Sequence, residues 1–385
     1  MDIIETWVQK AYEVHASDVH LEANVSPAFR VRGSLIIQSG VCPARELVHS
    51  TRARLSEDQW RAFHDQKSLD ISMFISRVRC RVNVFQTAKG IALSIRLFRS
   101  AAPTIGSLNL HPTITNLVDH DFGLVLICGA TGSGKSSTLA ALIQEINTTR
   151  TSQIITLEHP IEYMIRSHKS LIRQREVGRD TPSFGKGLTD ALRQDPDVIL
   201  VGEMRSPETM IKTIEAAETG HLVFSTLHAS SCSEAIQRLV SSVPEASRNS
   251  VQAQLADCLV AVVCQRLVYV PKARQRVPEC SILRGNHAVK NCIRTGQIHR
   301  LNSIMETGRA DQMFTLERYR EWLKEKNSFA NPLEVEVPNE QHRAVLTPPS
   351  IRKRKSNPVT DDGILDLDGV EEDPASILAR YRKKR

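Results

Sequence analysis

The residues from Gly129 to Ser136, Gly-Ala-Thr-Gly-Ser-Gly-Lys-Ser, satisfy the pattern G-x-x-x-x-G-K-[ST]. Gly129, Gly132 and Gly134 let the chain curl, so that the backbone N–H groups of the loop (Gly129, Ala130, Thr131, Gly132, Ser133, Gly134) face a bound phosphate. Lys135 is placed to reach the β- and γ-phosphates. The Ser136 hydroxyl, with Ser137 beside it, opens a helix whose N-terminus favours anions, and it is the Mg2+ ligand of the set. The context agrees. An apolar run, GLVLICG, precedes the loop, and the helix-forming run KSSTLAALIQEIN contains its end and continues beyond it.

A phosphate loop grips a nucleotide but does not by itself name the reaction. In DPDVILVGE an apolar strand runs into Glu203, and in an open α/β sheet an acid at that end lies beside the phosphates. There it holds the Mg2+ shell or aligns water for attack on the γ-phosphate. The strand alone reads equally as ending in a surface acid; joined to the phosphate loop, the catalytic reading is preferred. Glu158 ends QIITLE in the same way and either orients water or stabilises the fold. His221 and His228 bracket one strand, seven residues apart. That odd separation points them to opposite faces of a regular strand, so both meet one phosphate only if one lies past a strand end. Spacing alone favours hydrogen-bonded structural roles for both.

In RVRCRVNVF, Val78, Cys80, Val82 and Val84 share one face, while Arg77, Arg79 and Arg81 share the other. Arg96 sits similarly between Ile95 and Leu97. Such guanidiniums, remote in sequence from the phosphate loop, reach into a neighbouring subunit's active site in one reading. In the other they are a solvated sheet face, which the pattern alone favours.

The elements that must hold these groups can be read from periodicity. SDVHLEA and FRVRG alternate as half-buried strands, with Gly33 and Ser34 supplying a turn. ARELVHSTRARLSEDQWRAFHDQ has a helical pattern, with Ser56 as a cap. RVRCRVNVF and GIALSIRLF make a hairpin. Pro103, Gly106 and Pro112 mark a linker, and from about residue 113 strands alternate with helices. GLVLICG, SQIITLE, DVILVGE and HLVFSTLH are nearly continuous apolar strands, as a parallel sheet covered on both faces demands. GKGLTDALRQD and PETMIKTIEAAET read as helices between them, and 233–330 reads as mostly helical. The expected organisation is an N-terminal α/β domain at 1–100, a linker at 101–115, an α/β nucleotide domain with a helical C-terminal region at 116–330, and a disordered charged tail at 331–385. The tail joins RKRK, DDGILDLDGVEED and RYRKKR in blocks of one sign.

Composition narrows the classes. The chain of 385 residues carries a formal charge of +7, which reads as a solvated basic surface more than as a nucleic-acid patch. Its eight cysteines contain no C-x-x-C pair, so buried reduced thiols are expected, not a disulfide framework or a zinc site. The opening MDIIETWVQK predicts no export signal, and no apolar run approaches the roughly 18–20 residues that span a bilayer.

Taken together, ASDVHLE, the phosphate loop, IITLEHPIEY, QREVGRDTPSFGKGLTDALRQDPDVILVGEMRSPET and AAETGHLVFSTLHA resemble the secretion ATPase superfamily, most closely the PilT-type ATPases that retract type IV pili. The resemblance runs from about residue 3 to 330. It implies a PAS-like N-terminal domain joined to a RecA-like ATPase domain, a homo-hexameric ring, ATP and Mg2+ as ligands, and a cytoplasmic place against the inner membrane. The implied partner is a membrane platform protein at the pilus base, with no stable nucleic acid. It also implies an acidic box at Glu158, a Walker B glutamate at Glu203, a histidine box at His221 and His228, and interdomain arginines at Arg81 and Arg96. AVKNCIRTGQ is similar to the retraction branch's C-terminal signature, and the zinc module and longer N-terminal region of the extension and type II branches are missing. Two departures stand out: Glu158-His159-Pro160 where the family has Glu-Asp-Pro, and Arg205-Ser206 where it has Arg-Asp. Both would remove carboxylates near the nucleotide and weaken Mg2+ or water positioning. The alternatives are therefore the motor of a related secretion, conjugation or DNA-uptake system and a non-hydrolysing ATP-binding subunit, while the basic charge adds a RecA-like nucleic-acid translocase.

Overall fold

Apolar residues at helical spacing begin the chain: Ile4, Trp7, Val8 and Ala11 form the buried stripe of α1 (Ile3–Glu13), whose N-terminus is capped by the Asp2 carboxylate. The structure, a computed structural model, describes residues 2–31, 33–98 and 101–331. Apart from Asn331, the stretch expected to be a disordered tail lies outside the described residues. After α1 come β1 (Asp18–Glu22), β2 (Ala28–Val31), β3 (Ser34–Ile37), α2 (Ala44–Arg52), α3 (Glu57–Gln66), β4 (Ser68–Ile75), β5 (Val78–Thr87) and β6 (Gly90–Leu97). The strands form one antiparallel sheet in the order β3-β2-β1-β6-β5-β4. Ser56 closes a capping box with Gln59 at the start of α3. Val82, Val84, Leu93 and Ile95 line one sheet face and pack with α1, Leu47 and Phe63.

The second sheet is built from β7 (Gly123–Cys128), α4 (Lys135–Thr149), β8 (Gln153–Glu158), β9 (Leu171–Glu176), α5 (Phe184–Ala191), β10 (Val198–Val201), α6 (Pro207–Glu218) and β11 (Leu222–Leu227). After these come α7 (Cys232–Ser242), α8 (Glu245–Cys258), β12 (Leu259–Val270), β13 (Gln275–Arg284), α9 (His287–Arg294), α10 (Leu301–Thr307) and α11 (Leu316–Glu325). The order is β13-β12-β7-β11-β10-β8-β9, parallel except for the β12–β13 pair. The fold is therefore mixed α/β with a parallel-rich second sheet. Alternation splits β7 between two cores. Leu124 and Leu126 pack with α5 to α8, while Val125 and Ile127 pack with α4 and α11. Ile105 and Leu110, in the stretch read as a linker, are buried in that second core.

Two readings need correction. The 233–330 stretch holds α7 to α11, but also β12 and β13, a long antiparallel hairpin. CLVAVVCQRLV carries the β-branched run of a buried strand, and periodicity alone does not separate such a run from a buried helix. Sequence reading also passed over α1, β3, β4 and β9. The last is the sheet's edge strand, and its residues LIRQRE lack the apolar continuity of the strands inside.

Candidate functional site

Where β7 ends at Cys128, the chain enters the glycine loop and leaves it into α4, with Gly134 as the left-handed N-cap. Gly129 lies at φ 146°, and a Cβ there would collide with the Gln265 carbonyl oxygen and the Ser133 hydroxyl. Gln265, on β12, is 3% exposed and braces the loop. Its Nε2 donates to Ser133 O at 2.7 Å, and its Oε1 accepts from Thr138 Oγ1 at 2.7 Å. Sequence reasoning missed it. The available signal was a polar residue interrupting an apolar run. Lys135 Nζ donates to Gly129 O and Ala130 O, both at 3.0 Å. Burial lowers its pKa, opposed by the Glu203 charge.

The loop opens on a cleft of about 550 Å3 lined by Thr131, Gly132, Gly134, Lys135, Ser136 and Ser137 on one side and by Glu158, His159, Glu162, Glu203 and His228 on another. Three neighbouring parallel strands explain the acids. β8 ends at Glu158, β10 ends one residue before Gly202-Glu203, and β11 ends just before His228. Glu203 Oε2 meets Arg205 Nη2 at 2.8 Å, and its Oε1 meets His228 Nε2 at 3.1 Å. Burial alone would raise the pKa of Glu203, but the Arg205 and His228 contacts pull it below the ordinary carboxylate value.

His221 stands at the other end of β11, where its Nδ1 is 3.0 Å from Ala216 O. Seven residues of strand at about 3.3 Å each put it roughly 20 Å from His228. Both histidines lie past strand ends, but past opposite ones, and the chain brings only His228 to the cleft.

Glu158 Oε1 accepts from Thr156 Oγ1 at 2.7 Å and from Gln174 Nε2 at 3.1 Å. Burial pushes its pKa up to about 7 against these hydrogen bonds, with the charges of Glu162 and Glu176 adding to the rise. A raised folded-state pKa makes the native chain keep a proton that the unfolded chain has lost. The group's stability contribution is therefore full below about pH 4.5 and declines as pH rises toward 7. The loss is on the order of 2–3 kcal/mol. Denaturant titrations at pH 5 and 8 should show wild type losing more stability across that interval than Glu158→Gln; equal losses would remove Glu158 as the titrating group.

Glu162, inside the stretch IITLEHPIEY, was not singled out by sequence reasoning. It hydrogen-bonds the Ser136 side chain, and burial raises its pKa against that bond and the charges of Arg96, Arg81 and Lys135. A second acid four residues beyond Glu158 was the signal.

The first sheet supplies the remaining wall. Arg81 and Arg96 are direct cross-strand partners on β5 and β6, and both line the cleft. Arg81 Nε donates to Asp70 Oδ1 and Oδ2 at 3.1 and 3.0 Å, and Arg96 Nε donates to Asp18 Oδ1 at 3.0 Å. One reading of the sequence placed such arginines in a neighbouring subunit's site, and the favoured one placed them on a solvated sheet face; here Arg81 and Arg96 line the same cleft as the phosphate loop of their own chain.

The departure at Ser206 also acquires a cause. Ser206 caps α6 by accepting from Thr209 N, a task that Ser and Asp perform about equally, and it does not line the cleft. His159 does line it.

The donor set fits a nucleotide with Mg2+. The loop is a cradle that a Cβ at Gly129 would fill, and the buried Ser133 hydroxyl has no partner among the described residues. Ser136, Glu162 and Glu203 offer the hard oxygens that Mg2+ takes. All eight cysteines are buried free thiols, and among the described residues no helix is long and apolar enough to cross a membrane.

The family model described as Type II/IV secretion system protein matches residues 1–327. A twitching motility protein of Neisseria gonorrhoeae is 39% identical over 295 residues, covering 76% of this chain and 79% of that one. The type IV pilus retractation ATPase PilT of Pseudomonas aeruginosa is 38% identical over 319 residues, 82% of this chain and 92% of its own. Among solved structures, the pilus retraction motor PilT with bound ADP superposes with a TM-score of 0.75 at 36% identity, covering 83% of this chain and 96% of that one.

Proposed function

The chain belongs to the Type II/IV secretion system protein family, and we propose that it is a PilT-type ATPase working as a pilus retraction motor. The observation that carries the reading is the single cleft where the phosphate loop, three glutamates and two arginines of the other sheet converge. Lys135 holds the β- and γ-phosphates, and Ser136, with Glu162 and Glu203, holds the Mg2+ shell. Bound Mg2+ neutralises charge on the phosphate oxygens. Glu203, kept ionised by Arg205 and His228, aligns the attacking water, and Glu158 supports that alignment. Arg81 and Arg96 offset charge that develops on the γ-phosphate.

The finer reading is a homo-hexamer in which the 1–100 PAS-like unit and the 116–330 RecA-like unit turn about the 101–115 segment with each ATP cycle. The ring sits in the cytoplasm against the inner membrane, where a platform protein turns that motion into pilin removal. His221, remote from its own cleft, is free in this arrangement to serve a subunit contact. Ser206 as a helix cap removes one motive for a non-hydrolysing subunit.

Sedimentation of the purified chain with Mg2+ and nucleotide should give a six-copy particle, and phosphate release should be indifferent to single-stranded DNA. Expression in a strain lacking its retraction ATPase should restore twitching. DNA-stimulated turnover that falls steeply with salt would point instead to a translocase, and a stable monomer would sink the ring.

A further inference from the structure

Arg79, on β5 two residues before Arg81, does not line the cleft. Its side chain is 5% exposed, and its Nη2 donates to Glu176 Oε2. Glu176 ends β9 and is 8% exposed at its side chain, so the pair joins the first sheet to the edge strand of the second. Among the described residues, the Arg79 side chain makes no other hydrogen bond, its Nε is buried without a partner, and its guanidinium lies 5.3 Å from the Phe74 ring centroid. A buried ion pair is weak grounds for stability, because desolvation offsets attraction. What the pair holds in place matters more.

The same Glu176 Oε2 accepts from Ile161 N at 3.2 Å. Two residues back, on the same side of β9, Gln174 Oε1 accepts from Ile165 N at 2.8 Å. Its Nε2 donates to Tyr163 O at 2.8 Å and to Glu158 Oε1 at 3.1 Å. Gln174 and Glu176 are thus a template for the loop between Glu158 and Ile165, which carries Glu162 into the cleft beside Glu158 at the end of β8. Gln174 is anchored within the second sheet. Glu176 answers to the first sheet through Arg79.

From this we infer that Arg79 and Glu176 are positioning residues that keep the acidic loop competent only while the first sheet is docked on the second, so that domain position sets the rate of hydrolysis. When the first sheet moves off, Glu176 loses its cation in a place where an unpaired charge is costly. Its carboxylate then turns to the water that takes the place of Arg79, and that turn releases Ile161 N and the loop. The inference rests on the ATPase reading and extends it by naming the contact through which a domain swing reaches the chemistry.

The test compares Arg79→Met, which removes the charge at similar length, with Arg79→Lys, which keeps it. Arg79→Met should lower kcat by roughly tenfold or more with KM for ATP within about twofold, and Arg79→Lys should recover to within about threefold of wild type. Amide exchange in a peptide spanning 159–165 should quicken about fivefold in Arg79→Met and much less in Arg79→Lys. A kcat within twofold of wild type in Arg79→Met, or kcat and KM changing together with no recovery in Arg79→Lys, overturns the proposal. If Arg79→Met does not fold, Glu176→Gln removes the charge from the other side: the same loss of kcat at constant KM supports the pair, and normal kcat overturns it. Should wild type hydrolyse no ATP, the ATPase reading falls by itself and exchange alone decides. Quickened exchange in Glu176→Gln then supports the pair, and unchanged exchange overturns it.

Discussion

Glu203→Gln should lower ATP turnover by roughly 10²–10³-fold while leaving ATP affinity within about threefold. The side chain keeps its shape and its hydrogen bond from Arg205, so the cleft stays built. It loses the negative charge that holds a water or the Mg2+ shell in place for attack on the γ-phosphate. Because Arg205 and His228 hold the Glu203 pKa below the ordinary carboxylate value, this charge is constant near neutral pH. The pH dependence that Glu158 contributes, its pKa being pushed up to about 7, should persist in a His159→Asp variant and be lost in Glu158→Gln. Phosphate release and equilibrium binding of a fluorescent ATP analogue, measured together, check the split. A variant that binds poorly would make Glu203 a nucleotide ligand, and one that turns over normally would leave the acid's role to Glu162.

Much of this site is legible in the sequence because its parts sit at the ends of buried parallel strands. GLVLICG, QIITLE, DVILVGE and HLVFSTLH are apolar on both faces, and a parallel sheet sends all their C-terminal ends to one edge. That geometry alone gathers the loop, Glu158, Glu203 and His228. It also explains why His221 stays away, since a residue preceding its strand lies at the opposite edge.

Gln265 and Glu162 were not legible for a different reason. Gln265 acts from a strand adjacent to β7 but more than a hundred residues later in the chain, and no local pattern announces that adjacency. Glu162 acts from a loop whose path is set by Gln174 and Glu176 on the edge strand β9, itself too polar to be recognised as a strand. Edge strands and long-range braces depend on tertiary neighbours, which period and propensity do not encode.

The arginines give the second large effect and decide between two architectures of catalysis. Arg81→Ala and Arg96→Ala should each lower kcat by about 10³-fold, the lower end of what a charge-stabilising arginine supplies in phosphoryl transfer. Each is pre-aimed. Asp70 grips Arg81 through both carboxylate oxygens, Asp18 holds Arg96, and the two residues are direct cross-strand partners on the β5–β6 pair. Since they line the cleft of their own chain, the deficiency should be confined to the subunit that carries it. Mixing Arg96→Ala chains with Lys135→Ala chains tests this. If each site draws its loop and its arginines from one chain, every site in a mixed assembly lacks one or the other and turnover stays at the level of the two variants alone. If a site takes its arginines from a neighbour, some mixed interfaces join an intact Lys135 to an intact Arg96, and activity reappears in proportion to their number. Recovery on mixing would return the arginines to the neighbouring subunit and make the docked arrangement of the two sheets a resting state, not the hydrolysing one.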